Sequence, residues 1–214
     1  VLGGSSSING MVYVRGNALD YDGWAADGAD GWSYADVLPY FQKSETSNRG
    51  ENAYRGNSGP LHTTTGHLKN PLYQAFVDAG VEAGYSRTED PNGFQQEGFG
   101  PMDMTVRKGV RSSTSNAYLK PAISRHNLHV SAGTIVSRIL FEDGRAVGVE
   151  YKQGSNVYRV NVRRDVILSG GPIASPQLLM LSGVGDQKEL SDIGIDVVHH
   201  LPGVGKNLQD HLEL

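Results

Sequence analysis

Apolar residues recur at the spacing of an α-helix directly after Asn70-Pro71. The asparagine is a predicted N-cap, the proline suits the first helical position, and Gly84 marks the end of the helix. The predicted apolar face consists of Leu72, Phe76, Val77 and Val81. A shorter helix is predicted after Ser33, whose hydroxyl can cap it. Between the two helices, residues 44–69 are polar and rich in glycine, which predicts a loop.

From Leu128 onwards the pattern changes to short runs of β-branched residues, which are typical of strands. Asp143-Gly144 separates two of these runs and predicts a hairpin, because both turn positions tolerate a positive φ. Asp165–Ser169 is predicted as a short buried strand, followed by a glycine turn and a helix over 175–181. Ile195–Val198 is predicted as the last strand. This mixture of elements indicates an α/β fold.

Composition excludes several classes of function. The 214 residues contain no cysteine, which rules out disulfides, cysteine-ligated zinc and a thiol nucleophile. No apolar run approaches the ~18 residues of a membrane helix. The net charge of -4 and the lack of a basic block argue against nucleic-acid binding. The seven histidines show no ligand spacing typical of a metal site, so no metal is expected.

Glycine is over-represented, with 28 of the 214 residues, and it occurs in clusters. The first cluster, residues 3–10, is a run of small residues whose backbone N–H groups can form an anion-binding nest. It is neither a P-loop nor a G-x-G-x-x-G fingerprint, and Ser7 stands where the nucleophile elbow G-x-S-x-G needs its last glycine. A flexible linker is the alternative interpretation, although the apolar run Met11–Val14 directly behind it disfavours a pure linker.

The second cluster, within residues 166–176, combines a predicted strand, a glycine turn and a helix. This arrangement forms one half of a nucleotide-binding βα unit, in which glycines let the backbone approach a phosphate or ribose. A tight turn that touches no ligand is the commoner case in α/β folds, and the segment alone does not exclude it.

Taken together, the two clusters resemble the two signatures of the glucose–methanol–choline (GMC) oxidoreductases. Residues 3–16, Gly-Gly-Ser-Ser-Ser-Ile-Asn-Gly-Met-Val-Tyr-Val-Arg-Gly, are similar to the first signature, and residues 171–185 are similar to the second. Residues 201–211 also match the family. Within it, segments such as 10–20, 92–103 and 203–213 are similar to the bacterial choline dehydrogenases.

The resemblance implies an internal piece of a longer FAD enzyme. The pyrophosphate-binding G-x-G-x-x-G loop is expected upstream and the catalytic histidine downstream, so no catalytic residue is assigned in this chain. The implied fold is part of an FAD-binding Rossmann-like domain with the start of an antiparallel-sheet substrate domain. Residues 1–70 would form the flavin-facing loop and a helical cover segment, and residues 71–122 a substrate-domain or cover segment. Residues 123–214 would hold the FAD-domain β segments, the strand–glycine–helix turn and the start of a return to the substrate domain.

The resemblance also assigns cofactor-binding residues. The flavin-facing loop would contribute Gly4, Ser5, Ser6, Ser7, Asn9, Gly10 and Met11, and the remainder would be Val136, Ser169, Gly170 and Gly171. Val136 matches the residue whose backbone pairs with adenine, and Ser169–Gly171 matches the turn near the ribose and pyrophosphate. Ile8 stands where some family oxidases carry a histidine bonded to the flavin. Because isoleucine has no nucleophile, the FAD is expected to be non-covalent.

The implied reaction is oxidation of a primary alcohol by hydride transfer to flavin N5, with choline as the expected substrate and betaine aldehyde as the product. A quaternary ammonium calls for aromatic side chains. Trp24, Trp32, Tyr34 and Tyr40 qualify by type, although core packing and surface stacking are the favoured interpretation of them. The implied electron acceptor is a quinone. The implied location of the enzyme is the cytoplasm or the cytoplasmic face of a bacterial inner membrane, with peripheral membrane association. Two alternatives stay open: a family dehydrogenase for another alcohol, and a non-catalytic fragment.

Overall fold

A computed structural model describes residues 1–67 and 69–210. The chain divides into two compact units, Val1–His129 and Val130–Leu214. Both contain helices and strands, so the predicted mixed α/β architecture is confirmed. Within the described ranges, no helix has the length and apolar character needed to cross a bilayer.

The first unit contains one four-stranded sheet and one small hairpin. The sheet order is β1-β4-β3-β2, with β2 parallel to β3 and the other neighbours antiparallel. Its strands are β1 (Val12–Tyr13), β2 (Glu45–Ser47), β3 (Leu61–Thr65) and β4 (Asp103–Met104), and the hairpin strands are β5 (Val106–Arg107) and β6 (Val110–Arg111). Its helices are a 3-10 helix (Gly4–Ser7), α1 (Ala18–Ala26), α2 (Tyr34–Ser44), α3 (Pro71–Glu82), a π-helix (Ser115–Leu119) and α4 (Lys120–Ala122).

Two helices of this unit begin where the sequence predicts. The Ser33 side chain forms a capping box with Asp36 at the start of α2, and the Asn70 side chain accepts from the Leu72 N–H at the start of α3. Gly84, at φ 92°, follows the end of α3. Of the four apolar residues predicted on α3, only Val77 is fully buried.

The prediction of a loop over 44–69 is wrong, because β2 and β3 lie within it. Both strands are almost entirely polar, and their polar side chains face inward: Glu45, Ser47 and Thr63 are buried. A polar sequence predicts solvent exposure. Here polar and charged side chains of both strands are buried instead. The hydrophobic pattern therefore carries no signal for these two strands.

The second unit is built around an antiparallel sheet of β7 (Thr134–Glu142), β8 (Arg145–Gln153) and β9 (Asn156–Asn161). Asp143 and Gly144 have φ of 48° and 76°, so the predicted hairpin turn is confirmed. The remaining elements are α5 (Gly171–Leu181), β10 (Val184–Gly185), α6 (Gln187–Asp192) and β11 (His199–His200), with β10 parallel to β11.

Two strand predictions in this unit are wrong. Asp165–Ser169 is not part of a strand in the described structure, and Ile167 is 86% exposed. A strand needs a ladder partner, which an apolar run does not supply by itself. Ile195–Val198 is not a strand either, because the short parallel ladder with β10 begins directly after it, at His199–His200. His200 accepts a hydrogen bond from the Gln187 N–H through Nδ1, 3.0 Å away, which ties this strand to α6.

Candidate functional site

The glycine-serine cluster forms a short 3-10 helix followed by an exposed turn. Gly3 and Gly4 have φ of 91° and 53°, in the left-handed region that favours glycine. Met11 lies in the same region, at 66°. The Asn9 side chain stabilises the turn, because its Oδ1 accepts from the Met11 N–H at 3.1 Å. We call residues Gly4–Met11 the glycine-serine loop. Ser5, Ile8, Asn9 and Gly10 are exposed, so much of the loop surface faces outward.

Residues more than 100 positions further along the chain hold this loop in place. The Thr114 N–H donates to Ser6 Oγ at 2.9 Å, and the Thr114 hydroxyl donates to the Gly3 carbonyl at 3.1 Å. Arg111 Nη1 lies 2.7 Å from the Asn9 carbonyl oxygen, 2.9 Å from Asn9 Oδ1 and 3.3 Å from the Ser6 carbonyl oxygen. The loop is therefore fixed by tertiary hydrogen bonds and is not a free linker.

The far end of the loop enters the four-stranded sheet. The Thr105 N–H donates to the Met11 carbonyl at 2.8 Å, and Val12 and Tyr13 then pair with Met104 and Asp103. Beyond β1, the Arg15 N–H donates to Asn92 Oδ1 at 2.6 Å, and Asn92 donates back to the Tyr13 carbonyl. Hydrogen bonds with the Thr105 backbone and the Asn92 side chain thus fix where the loop joins the sheet.

Buried charges connect the strands of this unit. Glu45 accepts from Arg15 at 2.7 Å, from Arg55 at 2.8 Å and from the Thr63 hydroxyl at 2.6 Å. Arg55 also pairs with Asp90 and Asp103. We call Arg15, Glu45, Arg55, Asp90 and Asp103 the ionic network. The side chains of Arg15, Glu45, Arg55 and Asp103 are at most 1% exposed.

Opposing effects set the pKa values in the ionic network. Burial alone would lower the pKa of Arg55, but hydrogen bonds and charges from its carboxylate partners raise it above its ordinary value. Burial alone would raise the pKa of Asp90. Hydrogen bonds from the Arg55 guanidinium and the Asn92 N–H outweigh burial and lower that pKa. Both groups are therefore held in their charged forms.

In the second unit, three of the predicted residues line one cavity. Val136, Ser169 and Gly170 border a space of about 560 Å³, together with Val166, Leu168 and residues of α5. The β7–β8 pairing shifts register between Val136 and Arg138, an irregularity of the kind that re-aims side chains near binding sites. Gly171, the first residue of α5, has φ of 87° and does not line this cavity.

Backbone geometry at three glycines fits a cofactor that approaches closely. A Cβ added at Gly4, Gly10 or Gly171 would meet no atom within 4 Å, so open space lies beside each of them. Gly170 is different, because its Cβ would lie 3.3 Å from Ser175. The residues of the loop and of the cavity thus leave room for a ligand, and their contacts with FAD stay a prediction.

Histidine, metal and aromatic candidates add no second site. No histidine in the described ranges hydrogen-bonds to the glycine-serine loop or lines the cavity beside Val136. Among the same residues, no three His, Cys, Asp or Glu side chains are grouped as metal ligands. His211, the last residue of the 201–211 family match, lies outside the described residues. The aromatic residues pack edge to face, with Tyr21 and Trp24 ring centroids 5.0 Å apart and Trp24 and Trp32 6.2 Å apart. Trp24, Trp32 and Tyr40 are 49%, 54% and 70% exposed, so these rings lie at the surface and core packing is wrong for them.

Comparison with known proteins decides the family. The sequence matches the GMC oxidoreductase family over residues 1–213. The chain belongs to the GMC oxidoreductase family. It is 57% identical over 216 residues to the oxygen-dependent choline dehydrogenase of Photobacterium profundum and 59% identical over 214 residues to the mitochondrial choline dehydrogenase of Mus musculus. Both alignments cover all of this chain but only 38% and 36% of those proteins, so the chain spans less than two fifths of these GMC relatives.

Solved GMC-like structures share the fold. An FAD-dependent oxidoreductase from Chaetomium thermophilum aligns with a TM-score of 0.91 at 36% identity, covering 98% of this chain and 39% of that one. The pyridoxine 4-oxidase of Mesorbium loti aligns with the same TM-score at 32% identity, covering 97% of this chain and 41% of that one. The described structure is therefore that of a GMC oxidoreductase segment, and the family resemblance of the sequence is confirmed.

Sequence reasoning missed the residues that hold the loop. Arg111 and Thr114 act through contacts 102 to 111 positions away, which no local spacing reveals. Arg15, Glu45 and Arg55 look like surface charges in the sequence and are buried in the structure. The sequence does place a cluster of hydroxyl residues, Ser112–Ser115, directly after Arg111.

Proposed function

We propose that the full-length protein oxidises the hydroxyl group of choline to an aldehyde, with a non-covalently held FAD as the hydride acceptor. Activity, substrate and cofactor are all part of this proposal, because the chain spans less than two fifths of the length of its relatives. The single observation that carries it is the glycine-serine loop. This loop is exposed, open on the Cβ side of Gly4 and Gly10, and fixed by Arg111 and Thr114.

The residues of this chain would bind and orient the cofactor. Successive small residues let the backbone approach an anionic group closely, and backbone N–H groups stabilise negative charge that develops during reduction. When bound, FAD supplies the acceptor for the hydride that leaves the alcohol carbon. Val136 and Ser169–Gly171 are proposed to hold the adenosine portion. The general base is proposed to be a histidine outside these 214 residues.

Ile8 carries the proposal that the link is non-covalent. Its side chain is 76% exposed on the loop and offers only saturated carbon. FAD should therefore leave the polypeptide when the full-length protein is denatured with acid or heat. Absorbance of the supernatant near the flavin bands measures this. Flavin that stays with the precipitated chain would contradict it.

Choline is favoured over other alcohols because the choline dehydrogenases share 57 to 59% identity with this chain, against 32% for the pyridoxine oxidase. The proposed electron acceptor is a quinone at a membrane surface. The division into cofactor and substrate segments at residues 70 and 122 is also proposed. The proposals on substrate, electron acceptor and segment boundaries rest on similarity to the family and not on a contact within the described residues.

The test is a comparison of alcohols with the full-length protein. Reduction of an artificial acceptor dye is measured with choline, pyridoxine and an uncharged primary alcohol of similar size. The expected result is a kcat/KM for choline well above the other two. A higher kcat/KM for another alcohol than for choline would reject choline as the substrate but would still support alcohol oxidation as the reaction. Flavin binding without reduction by any alcohol would reject the activity.

A further inference from the structure

One peptide bond of the glycine-serine loop is arranged to donate outward. The Asn9 carbonyl lies 2.7 Å from Arg111 Nη1, and the peptide bonds of the described chain are all trans. The C=O and N–H of a trans peptide point in opposite directions, so the Gly10 N–H points away from Arg111. That N–H hydrogen-bonds to no acceptor among residues 1–67 and 69–210. It is thus an exposed donor with open space beside its Cα.

Arg111 polarises this peptide. A hydrogen bond to a carbonyl strengthens the donor character of the N–H in the same peptide unit, and the effect is larger when the first donor is charged. Arg111 also binds Asn9 Oδ1, which in turn accepts from the Met11 N–H. The guanidinium therefore fixes the orientation of the Asn9–Gly10 peptide as well as its polarity.

The positive charge of Arg111 is not neutralised by the described part of the protein. Arg111 forms no ion pair there, and it borders a cavity of about 340 Å³ that is also lined by Arg107, Lys108 and Lys120 and by no carboxylate. Burial lowers the pKa of His62, another residue of this cavity, and the charges of Arg107 and Lys108 lower it further.

We propose that Arg111 is a positioning residue for the flavin: it holds and polarises the Asn9–Gly10 peptide so that the Gly10 N–H stabilises negative charge on reduced FAD. This inference rests on the proposed function and adds a specific residue to it. Loss of the guanidinium should weaken FAD binding and should lower the reduction potential of the bound flavin. A residue with a purely structural role would change stability without changing the potential.

The test compares Arg111→Gln with Arg107→Gln in the full-length protein. Both variants remove one positive charge from the same cavity, but only Arg111 bonds to the loop. Loss of charge-assisted hydrogen bonds should weaken FAD binding about 10- to 100-fold in Arg111→Gln. The reduced flavin should lose at least a ten-fold stabilisation over the oxidised form, which is about 30 mV for a two-electron couple. Arg107→Gln should change FAD affinity less than about three-fold, as expected for a solvent-screened charge.

A third variant keeps the test decisive if Arg111→Gln fails to fold. Arg111→Lys retains the charge but not the planar donor group, so FAD affinity and potential should fall between wild type and Arg111→Gln. Wild-type affinity and potential in the lysine variant, or equal values for Arg111→Gln and Arg107→Gln, would overturn the inference. A wild-type protein that holds no FAD would instead reject the proposed function on which the inference rests.

Discussion

The two units bury different kinds of side chain. In Val1–His129 the fully buried residues are mostly polar or charged, and the largest of them are Arg55, Glu45, Asn92 and Asp103. In Val130–Leu214 the described buried side chains are mainly apolar: Ile139, Val184 and Leu190. The buried polar residue of this second group, Ser182, joins β7 to α5 by accepting from the Ile139 N–H and donating to the Leu178 carbonyl.

This difference shows how each unit can be disrupted. An apolar core loses stability in proportion to the volume removed. A buried ion pair contributes little net stability over an apolar replacement of both partners, but it is strongly destabilising to break one partner alone. The unit that holds the glycine-serine loop should therefore be sensitive to single charge removals, and the unit that contains Val136 should be sensitive to truncation of apolar side chains.

The largest expected effect is that of Arg55→Met. The substitution leaves Glu45, Asp90 and Asp103 without the guanidinium that they share, and a broken buried ion pair typically costs about 3–5 kcal/mol. Hydrogen exchange followed by mass spectrometry should show faster exchange in peptides from β2, β3 and β4. Peptides from the β7–β9 sheet should exchange as in wild type. Unchanged exchange in the first unit would show that the network is not what stabilises it.

The next effect is that of Leu190→Ala in the other unit. Leu190 is fully buried, and deleting a buried leucine side chain to alanine typically costs about 2–5 kcal/mol. Lys188→Ala on the same helix is the matched control, because the Lys188–Asp192 pair is exposed and such pairs contribute at most about 1 kcal/mol. Denaturant unfolding should separate the two variants. Equal midpoints would contradict an apolar core in this unit.

Low pH should destabilise the two units to different extents, by less than either substitution above. The pKa of Asp90 is lowered in the folded state, so the unfolded chain binds the proton more readily. The stability that Asp90 contributes is therefore complete above the ordinary aspartate pKa of about 3.9 and is lost as pH falls through its lower folded pKa. The pKa of Glu150, in the second unit, is also lowered, by hydrogen bonds from Arg159, but the Arg159 side chain of that pair is exposed and screened.

The check is the pH dependence of hydrogen exchange in both units between pH 5 and 3, corrected for intrinsic exchange rates. The first unit should lose more protection than the second over this range, because the Asp90 partner Arg55 is buried and the Glu150 partner Arg159 is exposed. Asp90→Asn should remove part of its acid sensitivity, since the asparagine does not titrate. An identical acid profile for wild type and Asp90→Asn would contradict the assignment.

The same contrast explains what the sequence could predict. Local signals were sufficient for Asn70-Pro71, Ser33 and Asp143-Gly144, because caps and turns depend on neighbouring residues alone. The apolar pattern failed at β2 and β3, where polar side chains are buried against opposite charges. It failed in the other direction at Asp165–Ser169, where Ile167 is apolar and exposed. Burial there depends on partners that a single sequence does not identify.

The candidate site divides in the same way. Motif chemistry singled out the glycine-serine loop, because its run of small residues is visible in the sequence. Arg111, Thr114 and the ionic network were invisible, because tertiary contacts place them. The structure adds the scaffold that holds the loop in place.

FAD binding by two glycine variants of the full-length protein tests the central claim most directly. Gly10 and Gly23 both lie in the first unit with no atom within 4 Å of an added Cβ, but only Gly10 belongs to the glycine-serine loop. Gly10→Leu should weaken FAD binding by more than about ten-fold, a loss of roughly 1.4 kcal/mol, because its side chain fills the space proposed for the flavin. Gly23→Leu, on the exposed surface of α1, should bind FAD as wild type does. Equal flavin occupancy in the two variants would contradict the assignment of the loop.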